Sequence, residues 1–114
     1  MSAQGRVPAP IDEETTELFD VLANERRQYI VHRLTKTEES IALADMARDI
    51  AARETDDRKS TSHEDVKQIR TQLHHRHVPK LCDHNVASYN QDQRTLSHAA
   101  NTERAQQILT VAIG

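Results

Sequence analysis

VKQIRTQLHHRHVPKLCDHNVASYNQDQRTLSH, residues 66–98, changes its periodicity part-way along. Val66, Ile69, Leu73, His77 and Leu81 recur every three or four positions, which places them on one face of a helix. Beyond Asn85 the spacing turns to alternation, in VASYN and RTLSH around a polar NQDQ, and that pattern predicts a β-hairpin. Pro79 lies inside the helical row. It has no N–H to donate and its ring meets the carbonyl four residues back, so a kink or a restart is expected there. Asn85 tolerates a left-handed backbone and marks the helix end. The local reading is a helix that feeds directly into a two-stranded hairpin.

The rest of the chain fits around that unit. Residues 1–13 hold two of the three prolines and little apolar content, and read as a flexible arm. The domain is expected over 14–114. Leu18, Phe19 and Leu22 space as a helix over about 14–23. Asn24 is a strong N-cap for a second helix over about 25–36, with Tyr29, Ile30 and Leu34 on one side. Ile41 suits a very short strand. LADMARDIAARE gives Leu43, Met46, Ala47, Ile50 and Ala51, the most regular amphipathic series in the chain. Ser62 is placed to cap the following helix. The tail over about 101–113 is helical, with Ala105, Ile108, Leu109 and Ala112 on one face. The fold class is mainly α with a small β-hairpin, in the order α-α-β-α-α-β-β-α, which is the layout of a winged helix-turn-helix. The expected core is Leu43, Met46, Ile50, Val66, Ile69, Leu73 and Leu81, together with Leu22, Ile30 and Leu34.

The chain has 114 residues, 36% of them hydrophobic and 29% charged, with no Trp, so one modest aliphatic core is expected. No apolar run approaches the 18 or so residues of a membrane span. There is no signal-peptide layout, and a single cysteine forms no internal disulfide. A cytoplasmic setting is expected. Net charge is −3, but it is unevenly spread. Residues 1–57 carry a net −6, residues 58–80 a net +4 and residues 81–114 a net −1. The positive segment also holds His63, His74, His75 and His77.

On a wheel of about 100° per residue His77 falls among the core residues, and Lys67, Gln68, Thr71 and His75 face the other way, flanked by Arg70 and His74. That face offers donors and few carboxylates, which suits phosphates and base edges. Lys67, Gln68, Thr71 and His75 are the candidates for groove contacts, with His74 beside them. Arg58, Lys59, Arg70 and Arg94 are the candidates for phosphates. A solvated charged face is the alternative reading of the same pattern.

The histidines do not form a metal motif. His74 and His77 are three apart, Cys82 and His84 lie beyond Pro79, and neither CxxC nor HExxH occurs. No metal and no cofactor is expected. Catalysis by Cys82 needs a positioned base and an electropositive pocket, and two glycines build no phosphate-cradling loop. The chain is not expected to be an enzyme.

Three stretches carry a family resemblance. LFDVLANERRQYIVHRL resembles the opening of archaeal winged-helix regulators. SIALADMARDIA is similar to their first helix-turn-helix helix, and QLHHRHVPKLCDHNVASYN to the end of their recognition helix running into the wing. The resemblance covers about residues 15–98. It is to small winged-helix proteins of haloarchaea and their viruses, of a build similar to ArsR-type repressors. The loop at 55–62 is longer than a tight helix-turn-helix turn, and Arg94 is the wing's one base. Metal-sensing relatives place Asp and His on the C-terminal helix, whereas 101–113 holds no His, Asp or Cys.

The expected function is sequence-specific binding of double-stranded DNA by a transcription regulator acting as a homodimer. The alternative is a winged-helix module for protein–protein interaction. The C-terminal ILTVAI is apolar more than halfway round its helix. An interface of Ile108, Leu109, Val111 and Ala112 with Leu18, Phe19 and Leu22 is therefore expected between two chains.

Overall fold

The computed structural model describes residues 13–55 and 62–113. The arm expected over 1–13 falls outside them but for Glu13, as do Arg58 and Lys59. The elements are α1 (Glu13–Val21), α2 (Glu25–Thr35), β1 (Ile41–Ala42), α3 (Leu43–Thr55), α4 (His63–Gln72), a π-helical turn (Leu73–His77), α5 (Val78–Asp83), β2 (Ser88–Asn90), β3 (Thr95–Ser97) and α6 (Thr102–Ile113).

The caps act as their residue types dictate. The Asn24 side chain accepts from the backbone N–H groups of Arg26 and Arg27 at the start of α2. Ser62 accepts from the Asp65 N–H, and the Asp65 carboxylate reaches back to the Ser62 N–H in a capping box. Asn85, at φ 60°, takes the left-handed conformation that ends α5.

The stretch from His63 to Asp83 is one helical run with a π turn in its middle. Its signature is the Val78 N–H bonded to the Leu73 carbonyl, five residues back. The turn ends just before Pro79, which sits in the first turn of α5. The break expected at the proline is thus absorbed upstream. Widening the helix by one residue moves the preceding carbonyls off the proline ring, whose missing N–H is harmless in a first turn.

β3 lies between β1 and β2 in an antiparallel sheet. Ile41 pairs with Leu96, and Leu96 with Tyr89. The hairpin expected from the alternation is present, and the short strand at Ile41 closes it on the side of α3.

One cluster gathers Leu18, Val21 and Leu22 of the first helical region, Ile30, Val31 and Leu34 of α2, and Met46, Ala47 and Ile50 of α3. Ile69, Leu73, Val78 and Leu81 of the long helical run join it, with Leu96 of β3 and Ala105 and Leu109 of α6. Every residue of the expected core is in it except Val66, which is half-buried at its edge. At about 25 cal/mol per Å² each fully enclosed leucine of this set contributes on the order of 1.5–3 kcal/mol.

The expected two-chain interface needs correction. Leu18 and Leu22 are enclosed by their own chain, and Leu109 is 8% exposed, so none of the three offers surface to a second copy. α6 lies along α2 and turns its Ala105–Leu109 stripe inward, which is why the stripe reads as apolar. Among the described residues Phe19 and Val111 remain the exposed large hydrophobics, beside an exposed Ala112 and a half-buried Ile108. No helix among the described residues is long and apolar enough to cross a membrane.

Candidate nucleic-acid interface

Lys67, Gln68, Arg70, Thr71, His74 and His75 are all exposed on α4 and the π turn, while Ile69, Leu73 and His77 of the same run are buried. The amphipathic division read from the wheel therefore holds through the π turn. Thr71 directs its hydroxyl hydrogen to the Lys67 carbonyl at 3.0 Å, so toward a ligand its oxygen is left as an acceptor.

The hairpin brings the ninth candidate to the same place. Gln91–Arg94 form the loop between the Asn90–Thr95 pair, and Arg94 sits at φ 57°. A left-handed backbone is unfavourable for a β-carbon-bearing residue by about 1–2 kcal/mol. Two hydrogen bonds hold it: the Arg94 N–H donates to the Asn90 carbonyl at 2.7 Å, and the Arg94 carbonyl accepts from the Leu43 N–H at 2.9 Å. The second ties the hairpin loop to the start of α3. Arg94 thereby joins Arg70, Thr71, His74 and His75 around a groove of about 460 Å³, closed on its other sides by Ala42, Leu43, Ala44, Tyr89 and Gln93. No carboxylate lines it among the described residues.

Five of the nine candidates line that groove. Lys67 and Gln68 lie on the exposed helix surface outside it, and Arg58 and Lys59 are outside the described residues. Tyr89 and Gln93 escape a reading of the sequence for charge. The alternation that puts Tyr89 on one face of its strand is a signal for it, whereas Gln93 carries none.

Two arginines of α2 position this helix from behind. Arg26 donates to both carboxylate oxygens of Glu54 at the end of α3, at 2.7 and 2.9 Å, and to the Gln72 side-chain oxygen at 2.5 Å. One guanidinium so fixes the end of α3 against the end of α4, and its fork suits such planar, two-pronged contacts. It also holds the Glu54 carboxyl below the usual carboxylate range. Arg27 is 7% exposed and donates to the Val21 carbonyl at 2.5 Å and to His77 Nδ1 at 3.1 Å. Since Arg27 can only donate, Nδ1 accepts and the ring proton sits on Nε2. Burial, followed by the charges of Arg27 and Arg76, pushes His77 from 6.5 down to about 4. His77 is a neutral core acceptor, in keeping with its place on the apolar face.

Ion pairing divides the cations. Among the described residues, Arg26, Arg33, Arg48, Lys80 and Arg104 meet Glu54, Asp49, Asp45, Asp20 and Glu14. Arg27 is bonded internally, and Arg53 lies over the Tyr29 ring at 4.5 Å. Among the described residues, Lys67, Arg70, Arg76 and Arg94 form no ion pair, a state that Arg27, Lys36 and Arg53 share elsewhere, although Arg27 is bonded internally and Arg53 covers a ring. Glu64 and Asp65 are confined to the first turn of α4, where the helix dipole favours them.

Burial raises the Cys82 thiol above its ordinary value, which disfavours the reactive thiolate. No group of three or more potential metal ligands occurs among the described residues.

The sequence profile of a domain of unknown function, DUF7344, matches residues 19–97. The chain belongs to that family. Neither a curated protein nor a solved structure matches it. The DUF7344 span runs from α1 to the end of β3. It includes the whole groove, the Arg26 clamp and the Arg27–His77 pair, and leaves α6 outside. The candidate interface is thus a feature of the DUF7344 region itself.

Proposed function

We propose that this DUF7344 protein is a sequence-specific regulator of transcription that binds double-stranded DNA as a homodimer. In this reading α2, β1, α3, the α4–π–α5 run and the β2–β3 hairpin form a winged helix-turn-helix. α4 is the recognition helix and the hairpin is the wing. The antiparallel joining of β1 to β3 supports that reading, as does the bond that docks the wing tip on α3. The archaeal, ArsR-like kinship and the cytoplasmic setting belong to the same proposal.

The observation that carries it is the division of the cations. A solvated face has no reason to withhold its bases from carboxylates when, among the described residues elsewhere, Arg26, Arg33, Arg48, Lys80 and Arg104 are ion-paired and Arg27 and Arg53 are engaged internally. Bases left without partners on one helix and the adjoining wing form the electrostatic footprint of a polyanion. Lys67, Gln68, Thr71 and His75 read base edges, while Arg70 and Arg94 take phosphates, with Arg58 and Lys59 assigned to phosphates as well. Arg76 adds a further base.

A single reading helix covers few base pairs, so two copies on two half-sites are required for specificity. Phe19, Val111 and Ala112, with the rim of Ile108, are the apolar surface left for the two-fold contact.

Capture of genomic fragments on the full chain, with sequencing of what is bound, tests the function. Enrichment of one motif supports it. If no motif emerges and bulk DNA is not retained at low salt, DNA binding is refuted and the protein-interaction reading replaces it. With a motif in hand, Lys67→Ala and Thr71→Ala should each weaken operator binding by about 1–3 kcal/mol. Unchanged affinity in both would remove α4 from the reading role.

A further inference from the structure

The groove between the π turn and the wing holds more than a phosphate site requires. His74 and His75 meet edge to face with centroids 4.9 Å apart and planes at 90°. His74 also meets Tyr89 at 6.1 Å and 71°. All three rings line the groove, and neither contact stacks them in parallel. Arg70 and Arg94 stand at the same groove without an ion-pair partner, and Thr71 contributes an acceptor oxygen. The volume, about 460 Å³, falls within the range of about 300–1,000 Å³ typical of small-molecule sites.

A fully paired duplex does not match this chemistry. It offers phosphates and base edges, while its base faces are covered by their stacked neighbours. Aromatic rings beside free guanidinium groups suit a base that has left the stack, with its own phosphate close by. We infer that the groove seats one unpaired nucleotide, its base against the His74 and Tyr89 rings and its phosphate on Arg70 and Arg94. The inference rests on the nucleic-acid reading of this face and deepens it: the protein recognises an unstacked base within or beside its DNA site. Unpairing a base is cheapest at a bulge or a strand end, so those are the substrates the site favours.

Fluorescence anisotropy on the full chain tests this. The probes are a labelled duplex, the same duplex with one unpaired thymidine, an oligothymidine strand, and thymidine monophosphate as competitor. The bulged duplex should bind about 10-fold tighter than the paired one, in line with base–aromatic stacking energies. His74→Ala should abolish that difference and His74→Phe should keep it, because the ring face, not the imidazole charge, is what the base meets. His74 is exposed, and a thermal melt of each variant checks that the fold is intact.

Equal affinity for paired and bulged duplexes, with steep salt dependence for both, overturns the nucleotide site and leaves DNA binding standing. A preference that survives His74→Ala also overturns it. If neither duplex binds, the DNA-regulator reading fails by itself. The site then stands only if oligothymidine or the mononucleotide binds in a His74-dependent way, which would name a free strand or a free nucleotide as the source. Binding of neither overturns it.

Discussion

The Arg27–His77 pair makes stability depend on pH in a calculable way. His77 is 1% exposed and accepts a hydrogen bond from a guanidinium that is itself buried. Protonating the ring removes the acceptor and sets a second positive charge against Arg27, with Arg76 close enough to add to the repulsion. Its ordinary value is 6.5 and its value in the fold is about 4. Between those limits the unfolded chain binds a proton that the folded chain refuses, so stability falls as pH falls. The contribution is fully present above pH 6.5 and is lost progressively as pH drops toward 4. Each unit of difference is worth about 1.4 kcal/mol, so acidification from near pH 7 to near pH 4.5 should remove about 2 kcal/mol through this one group.

Carboxylates held low by partners, Glu54 by Arg26 and Asp20 by Lys80, lose stability in the acid range too, so a reference is needed. His77→Gln supplies one, because a glutamine side-chain oxygen accepts from Arg27 and does not titrate. Urea unfolding of both proteins at the two pH values isolates the histidine. The wild type should lose about 2 kcal/mol more than His77→Gln on acidification. Equal losses, to within about half a kcal/mol, would show that His77 takes up its proton without penalty and that the neutral-acceptor account is wrong.

Three further outcomes are expected. Leu73→Ala, at a fully enclosed position where the π turn begins, should cost about 2–5 kcal/mol in denaturant unfolding, and a loss under about half a kcal/mol would put that face in solvent. Arg94→Ala should weaken binding to all DNA sequences alike and lower the slope of log affinity against log salt by about 1, whereas a sequence-selective loss would make Arg94 a base reader. Val111→Asp, at a position 85% exposed, should turn a dimer into a monomer in sedimentation equilibrium; if it and Phe19→Asp both remain dimeric, the contact lies elsewhere.

Most of the framework is readable because each element has a local cause. Asn24 and Ser62 cap, Asn85 turns left-handed, and the Leu43–Ala51 series has one helical face, so the sequence alone places α2, α3, α4 and the end of α5. The same reasoning misplaces Leu18 and Leu109 and assigns Leu22, rightly given to the core, to the interface as well. Apolar periodicity reports that a face is buried but not what buries it. For these residues the burying surface is the chain's own core, reached over sequence separations that no periodicity encodes. Arg26 and Arg27 are hidden for the same reason. As neighbouring arginines on a helix they read as surface, yet one clamps Glu54 and Gln72 while the other is enclosed against Val21 and His77.

The π turn shows where local reasoning stops even when its premise is right. Pro79 does forbid an undisturbed α-helix, since its ring collides with the carbonyl four residues earlier. A break at Pro79 would have separated the helical run into two pieces free to diverge. The chain instead inserts its irregularity at Leu73–His77, keeping both Leu73 and His77 in the core on either side. That solution depends on partners distant in sequence. Arg27 holds His77 from α2. Val86 and Thr102 fasten the far end, where the Thr102 hydroxyl donates to the Val86 carbonyl at 2.6 Å. With both ends fixed, widening the helix by one residue is the remaining way to accommodate the proline. His74 and His75 of this turn line one groove with Tyr89 and Arg94. Removing the cause should therefore move the effect: Pro79→Ala permits a regular helix, and with it a different orientation of His74 relative to the β2–β3 hairpin.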